Sequence, residues 1–199
     1  MKFDKLLFTV LFGITIPLVC FIMSWWGAFL FTRDESTIII SSLTGLGLGI
    51  IITLMVKLKM NPDFYQLSVP VLIMVYFFYN ILLYGMFMGV PFFHLFLGVI
   101  AGYYWANYII IHDIRDHKRE ILRISVFCTA FMTLICFSSA KIALANESTA
   151  SEFEHMFRLP FELTRPLLIT SLAAGGLILI VIQYLLVKYT MQWTLRKRM

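Results

Sequence analysis

The chain has 199 residues, of which 60% are hydrophobic and only 14% are charged. This apolar share is too high for a soluble globular domain of such length, so a water-soluble enzyme or binding module is excluded. The formal net charge of +5 is spread over several short segments and forms no single basic patch. We therefore expect no nucleic-acid partner.

Six long apolar runs dominate the sequence. A helix needs about 20 apolar residues to cross a hydrocarbon core of about 30 Å, and in lipid every backbone amide must be paired within the protein. The runs lack the alternation typical of barrel strands. We therefore predict an all-α integral membrane bundle of six transmembrane helices, a single polytopic domain over residues 1–199. The helices are predicted at about 6–31, 37–56, 69–90, 92–111, 124–145 and 167–187.

Basic residues are distributed unequally between the two sets of gaps that separate these runs. The set that includes both termini holds twelve Lys and Arg residues, and the other set holds four. With the acidic residues included, the two sets carry net charges of +7 and −2. Because Lys- and Arg-rich loops remain on the cytoplasmic side, both termini are predicted to be cytoplasmic. We expect the protein in a bacterial plasma membrane.

The connections between the runs differ in length and character. Gly89 and Pro91 leave almost no loop between helices 3 and 4, so a tight outer hairpin is expected there. The segment 112–123 is predicted to be helical, either continuing helix 4 or leading into helix 5. The outer segment 146–166 fits an interfacial half-helix, or a cap over a cavity that opens outward.

Small residues recur at four-residue spacing in the middle helices. Such stripes allow two helix backbones to approach closely. The candidate packing or oligomer residues are Gly45, Gly49, Gly85, Gly89, Gly98 and Gly102. Two interpretations stay open: tight packing within one bundle, or a face that contacts a second copy or another membrane subunit.

Polar side chains within the spans form a second set of candidates. Burying an amide or a hydroxyl in lipid without a partner is costly, so these groups should face the interior of the bundle. Spacing places Asn80 and Tyr84 on one helix face and Tyr103 and Asn107 on another. The candidate substrate-binding residues are Asn80, Tyr84, His94, Tyr103 and Asn107. The alternative interpretation is that they only connect helix to helix by hydrogen bonds.

Charged and catalytic motifs are missing from the predicted spans. No Asp, Glu or Arg lies inside any of them, whereas ion-coupled transporters and intramembrane hydrolases usually need such groups or a nucleophile with its base. His112 and Asp116 would share a helix face, but the interleaved Arg115, Lys118 and Arg119 oppose a bound cation. We expect no catalytic residue, no metal site and no cofactor, and an enzyme is the less favoured interpretation.

The favoured hypothesis is a binding or permeation component of a transport system for a small, largely uncharged solute. In size and topology the chain resembles the substrate-binding subunits of energy-coupling-factor vitamin importers, although helix 1 lacks the alanine motif with which those subunits dock. Such a component should have a solvent-reachable cavity near Asn80, Tyr84, Tyr103 and Asn107. Its expected partners are membrane lipid and either another membrane subunit or a second copy.

Two alternatives belong to other classes. One is a non-catalytic scaffold, sensor or oligomeric pore-forming subunit of a larger complex, which would use the Gly-rich faces. The other is a lipid-modifying enzyme, whose polar groups would have to come from the 112–123 and 146–166 segments.

Reporter fusions test the predicted orientation. We expect alkaline phosphatase fused at residue 199 to be inactive in a bacterial host, because the basic C-terminal segment stays cytoplasmic. A truncation fused at residue 148, which lies in the acidic set of gaps, is the matched control and should be active. Activity at residue 199 together with inactivity at residue 148 would contradict the orientation.

Overall fold

The computed structural model describes residues 2–32, 34–59, 67–87, 89–146, 148–158, 160 and 163–198. These residues form α-helices and one short 3-10 turn at Pro91–Phe93, and no strand occurs among them. The helices are α1 (Lys2–Phe31), α2 (Glu35–Lys59), α3 (Val69–Met86), α4 (His94–Ile111), α5 (His117–Ala145), α6 (Thr149–Phe157) and α7 (Arg165–Arg198). All of them except α6 are long and apolar enough to cross a membrane. The prediction of an all-α protein with six such helices is confirmed.

The helix ends extend past several predicted bounds. α5 begins seven residues before the predicted start of the fifth span, and α7, which contains the sixth span, continues to Arg198. The predicted bounds mark only the apolar stretch, whereas a helix can continue through polar residues once it leaves the hydrocarbon. The orientation of the two termini stays a prediction.

The connection between α4 and α5 is a turn and not a continuous helix. α4 ends at Ile111, and Asp113 has a positive φ of 48°. The Asp116 carboxylate accepts a hydrogen bond of 3.2 Å from the Arg119 amide and so caps the start of α5. The prediction of a helix over 112–123 is therefore right from His117 onward and wrong before it, so His112 and Asp116 do not share a helix face.

The chain divides into two compact units, residues 1–71 and residues 72–199. The first unit is the hairpin of α1 and α2. At its connection the Asp34 carboxylate accepts hydrogen bonds from the hydroxyl and the amide of Thr37, at 2.5 and 2.8 Å. These two hydrogen bonds hold the pKa of the Asp34 carboxyl below its usual range. Their contribution to stability is therefore fully present above the pKa of an unfolded Asp, and it is lost as the pH falls through the lowered pKa of Asp34 in the folded protein. That both units belong to one membrane domain stays a prediction.

Gly45 and Gly49 bring α2 into main-chain contact with α1. A Cβ atom on Gly45 would lie 2.6 Å from the carbonyl oxygen of Cys20, and one on Gly49 would lie 2.5 Å from the Cα of Pro17. Because these nearest atoms include backbone, no rotation of a side chain could make room for a methyl group. The two helices of the first unit therefore require glycine at these positions.

The second unit contains α3 from Leu72 onward and α4 to α7. α7 packs along both α4 and α5, and aromatic rings join α3 to α5. The ring centroid of Tyr76 lies 5.6 Å from that of Phe127 and 5.5 Å from that of Phe131. At the turn after α3, Gly89 has a φ of +79° and its carbonyl accepts a hydrogen bond from the Ser139 hydroxyl of α5. α3 ends at Met86, four residues before its predicted end at 90, so the connection to α4 is short but longer than the near-absent loop that the sequence predicts.

Alanine substitutions in α2 test the hairpin packing. We expect Gly49→Ala to lower the stability of the full-length protein by about 1–3 kcal/mol, because its Cβ would overlap the backbone of α1. Gly47→Ala is the matched control, since nothing lies within 4 Å of its Cβ position and alanine favours helix. Thermal unfolding of both variants in one detergent measures the difference. Equal midpoints for the two variants would contradict the packing.

Candidate functional site

A group of polar side chains lies inside the second unit, and four helices contribute to it. We call this group the polar core. It consists of Tyr76, Asn80 and Tyr84 from α3, His94 from α4, Cys128 from α5 and Gln183 from α7. The side chains of Asn80, His94 and Gln183 are at most 4% exposed.

Helical spacing and the short turn assemble the first half of the polar core. Tyr76, Asn80 and Tyr84 recur every four residues, so they share one face of α3. The Asn80 amide nitrogen donates to the Tyr76 carbonyl at 2.8 Å. His94 lies just after the turn, and its Nε2 is 3.1 Å from the carbonyl oxygen of Asn80. The rings of Tyr84 and His94 are 6.4 Å apart between centroids.

Gly98 makes room for the amide of Gln183. A Cβ atom on Gly98 would lie 2.7 Å from the Cδ and 2.8 Å from the Oε1 of Gln183. The same glutamine side chain interacts with the Tyr76 hydroxyl, as do the side chains of Asn80 and Cys128. The missing side chain on α4 therefore lets an amide from α7 reach a hydroxyl on α3.

Three atoms of the polar core have no hydrogen-bond partner among the described residues. They are the Tyr84 hydroxyl, His94 Nδ1 and Gln183 Oε1. A buried polar atom without a partner costs about 1–3 kcal/mol, and native interiors contain few of them. Two further unpaired atoms, Asn107 Oδ1 and Ser125 Oγ, lie outside this group. Three of the five unpaired buried atoms among the described residues therefore belong to residues of the polar core.

The chemical character of these atoms follows from the histidine contact. The Asn80 carbonyl can only accept, so in the tautomer that makes this hydrogen bond Nε2 of His94 carries the proton and Nδ1 of the neutral ring is an acceptor. Gln183 Oε1 is also an acceptor, and the Tyr84 hydroxyl can either donate or accept. None of the six residues of the polar core is Asp, Glu, Lys or Arg. The group is therefore suited to an uncharged molecule that carries hydrogen-bond donors.

Tyr103 and Asn107 lie elsewhere on α4. With a rise of 1.5 Å per residue, they are about 14 and 20 Å along the helix from His94. The Asn107 amide nitrogen donates to the Tyr103 carbonyl at 2.9 Å, and the Tyr103 hydroxyl accepts from the Arg198 guanidinium at 3.0 Å. The structure therefore brings together Asn80, Tyr84 and His94 but separates them from the other two predicted residues.

Solvent access differs from what the transport hypothesis led us to expect. Asn80 and Asn107 are 4% and 1% exposed, so solvent does not reach these two side chains in this conformation. An open cavity of about 270 Å³ lies at the other end of α5, beside α6. It is lined by Ala143, Leu144, Asn146, Ala150, Arg165 and Leu168.

The remaining candidate glycines have different surroundings. A Cβ on Gly102 would lie 3.0 Å from the carbonyl oxygen of Val187, so Gly102, like Gly98, lies against α7. Gly89 adopts the positive φ of the turn after α3, and nothing lies within 4 Å of a Cβ position on Gly85. A role for any of these glycines in an oligomer stays a prediction.

Tyr76, Cys128 and Gln183 are the residues of the polar core that the substrate-binding candidates omitted. Two of them carry a signal in the sequence: Gln183 is the only amide in the last apolar run, and Tyr76 precedes Asn80 by one helical turn. The packing of α7 against α4, which places Gln183 against Gly98, cannot be predicted from the sequence pattern.

Comparisons of the chain with protein-family models, with curated proteins and with solved structures find no match. Among the described residues, no three side chains of His, Cys, Asp or Glu come together in a way that could hold a metal ion. The class that the fold defines is a polytopic all-α membrane protein. Its function has to be argued from the polar core.

A double-mutant cycle tests the contact between α4 and α7. Gly98→Ala should lower stability by about 1–3 kcal/mol, because its methyl group displaces the Gln183 amide. In a Gln183→Ala background the same change should cost at least about 0.5 kcal/mol less, as expected for residues in contact. Gly175→Ala is the control, since its Cβ position is open. Additive effects in thermal unfolding would contradict this packing.

Proposed function

We propose that this protein is the solute-binding component of a membrane transport system and that its polar core binds a small, uncharged solute. The observation that carries this proposal is the group of three unpaired polar atoms on Tyr84, His94 and Gln183, each from a different helix. A purely structural polar cluster would be expected to pair its own donors and acceptors. Here two acceptors and one hydroxyl remain unused.

The class of solute follows from the two unpaired acceptors and the one unpaired hydroxyl. A ligand with at least two N–H or O–H donors would satisfy Nδ1 of His94 and Oε1 of Gln183, while the Tyr84 hydroxyl could donate to its acceptor. Small amides, ureas, lactam heterocycles and polyols have this pattern. A charged solute is disfavoured, because a buried charge needs an opposite charge beside it.

The burial of four of the six residues of the polar core, Asn80, His94, Cys128 and Gln183, supports an occluded binding state. Its residues come from α3, α4, α5 and α7, so a solute could enter only if these helices move relative to one another. The spans contain no carboxylate relay, so the energy for transport would come from another subunit. The glycines that face α7 are already covered within the chain, which makes a scaffold built on them the weaker candidate.

Ligand-dependent stabilisation tests the proposal. The full-length protein in nanodiscs is heated with a panel of nicotinamide, thymine, urea, glycerol and myo-inositol, and the unfolding midpoint is recorded. At least one compound should raise the midpoint, because a ligand that binds only the folded state stabilises it. Gln183→Leu should abolish that shift, since it removes an acceptor with little change in volume.

Asn107→Leu is the matched control, because it also replaces a buried amide with one unpaired oxygen but lies outside the polar core. We expect it to keep the ligand-induced shift of the unchanged protein. A shift lost in Asn107→Leu and kept in Gln183→Leu would contradict the assignment. The assignment would also be contradicted if no compound shifted the midpoint and native mass spectrometry showed that the protein without substitutions purifies free of small molecules.

A further inference from the structure

The outward face of α7 changes in residue type along its length. One series of exposed side chains on α7 recurs at intervals of three or four residues from Ile178 to Arg196, with Lys197 adjoining its end, so they lie on one helix face. In order along the chain they are Ile178, Ile182, Leu185, Tyr189, Trp193, Arg196 and Lys197. The series begins with aliphatic residues, continues with aromatic residues and ends with basic ones.

The opposite face of the same helix is buried, which fixes the direction in which this series points. Its members are Gln183, Val187, Met191, Thr194 and Leu195. They occur on the side of α7 that packs against α4 and α5. Tyr189 and Trp193, by contrast, are each 61% exposed. α7 therefore presents a defined face away from the helices that it contacts.

The spacing of this face matches the layers of a lipid leaflet. With a rise of 1.5 Å per residue, Trp193 lies about 12 Å beyond Leu185, and Arg196 lies about 4.5 Å further. Aliphatic side chains suit the acyl region, Trp and Tyr suit the interface, and Lys and Arg suit the headgroups. The order along α7 is the order in which a membrane-spanning helix would meet these layers.

Arg196 and Lys197 have no acidic partner within the described part of the chain. The Lys197 ammonium lies 5.0 Å from the centroid of the Trp193 ring, and Arg196 forms no ion pair there. Glu120, the acidic residue that does form an ion pair, is bound to Arg123 at 3.6 Å. Arg196 and Lys197 therefore carry positive charge that an external anion can neutralise.

We propose that the C-terminal end of α7 binds the headgroup of an anionic phospholipid. Arg196 and Lys197 bind the phosphate, Trp193 and Tyr189 lie beside the glycerol and ester groups, and Leu185 and Ile182 contact an acyl chain. The partner is a lipid and not a free anion, because the aliphatic and aromatic residues extend the binding face well below the charges. This site shares no residue with the polar core, so lipid binding here does not depend on the proposed function.

Native mass spectrometry of the full-length protein tests this site. The protein in detergent is titrated with phosphatidylglycerol and separately with phosphatidylcholine, and the dissociation constant of the first bound lipid is measured for each. Phosphatidylglycerol should bind more tightly. Arg196→Gln combined with Lys197→Gln should weaken it by roughly tenfold or more and leave phosphatidylcholine nearly unchanged, because basic residues near the surface attract anionic lipid.

Arg115→Gln combined with Lys118→Gln is the matched control, because it removes two exposed basic residues from another segment. We expect it to keep the preference for phosphatidylglycerol, and we expect Trp193→Ala to weaken both lipids. The proposal is overturned if the α7 double variant binds like the unchanged protein, or if the control loses as much affinity. It is also overturned if millimolar inorganic phosphate displaces the lipid, because a bare anion would then suffice.

Discussion

A hydrocarbon layer offers no hydrogen-bond partner, so each polar side chain in a membrane helix depends on what the protein itself supplies. The amide nitrogens of Asn80 and Asn107 meet this constraint locally, by donating to the carbonyl one turn earlier, whereas Oδ1 of Asn107 stays unpaired. The His94 ring meets it at the adjoining hairpin, through the Asn80 carbonyl. Nδ1 of His94 and Oε1 of Gln183 have no such partner among the described residues. These unpaired atoms, which are costly in such a solvent, are the reason for our proposal that the polar core binds a small molecule.

Close helix contacts make this arrangement possible. Gly98 and Gly102 let α7 lie directly on α4, and the space above Gly98 is filled by an amide instead of a methyl group. A larger residue would hold α7 away and remove Gln183 from the polar core. The first unit uses the same device at Gly45 and Gly49, without a buried amide at the contact. Glycine therefore sets the distance between helices in both units, but only in the second does that distance assemble a site.

α7 contributes residues to both of the sites that we propose, the polar core and the lipid site. Its buried face contributes Gln183 to the polar core, while its exposed face carries the aliphatic, aromatic and basic series. Lipid held at Arg196 and Lys197 would fix the depth of α7 in the leaflet and thereby the level of Gln183. Any movement of α7 that opens the polar core would have to change these headgroup contacts as well.

The extent to which the sequence predicts this structure depends on how local each feature is. Apolar length predicts the six helices, and four-residue spacing places Asn80 beside Tyr84, because both signals depend only on neighbouring residues. Residue type also makes Asn107 a candidate, because it indicates that a polar group must be buried but does not indicate its position along the helix axis. Gln183 was missed for a different reason: its position depends on the pairing of helices far apart in the chain.

The most direct test of the account is a high-resolution structure of the protein purified from its native membrane in nanodiscs. Our account predicts non-protein density inside the second unit, within hydrogen-bond distance of His94 Nδ1, Gln183 Oε1 and the Tyr84 hydroxyl. It would be contradicted by a map in which these three groups hydrogen-bond to one another or to other side chains and no density lies between them.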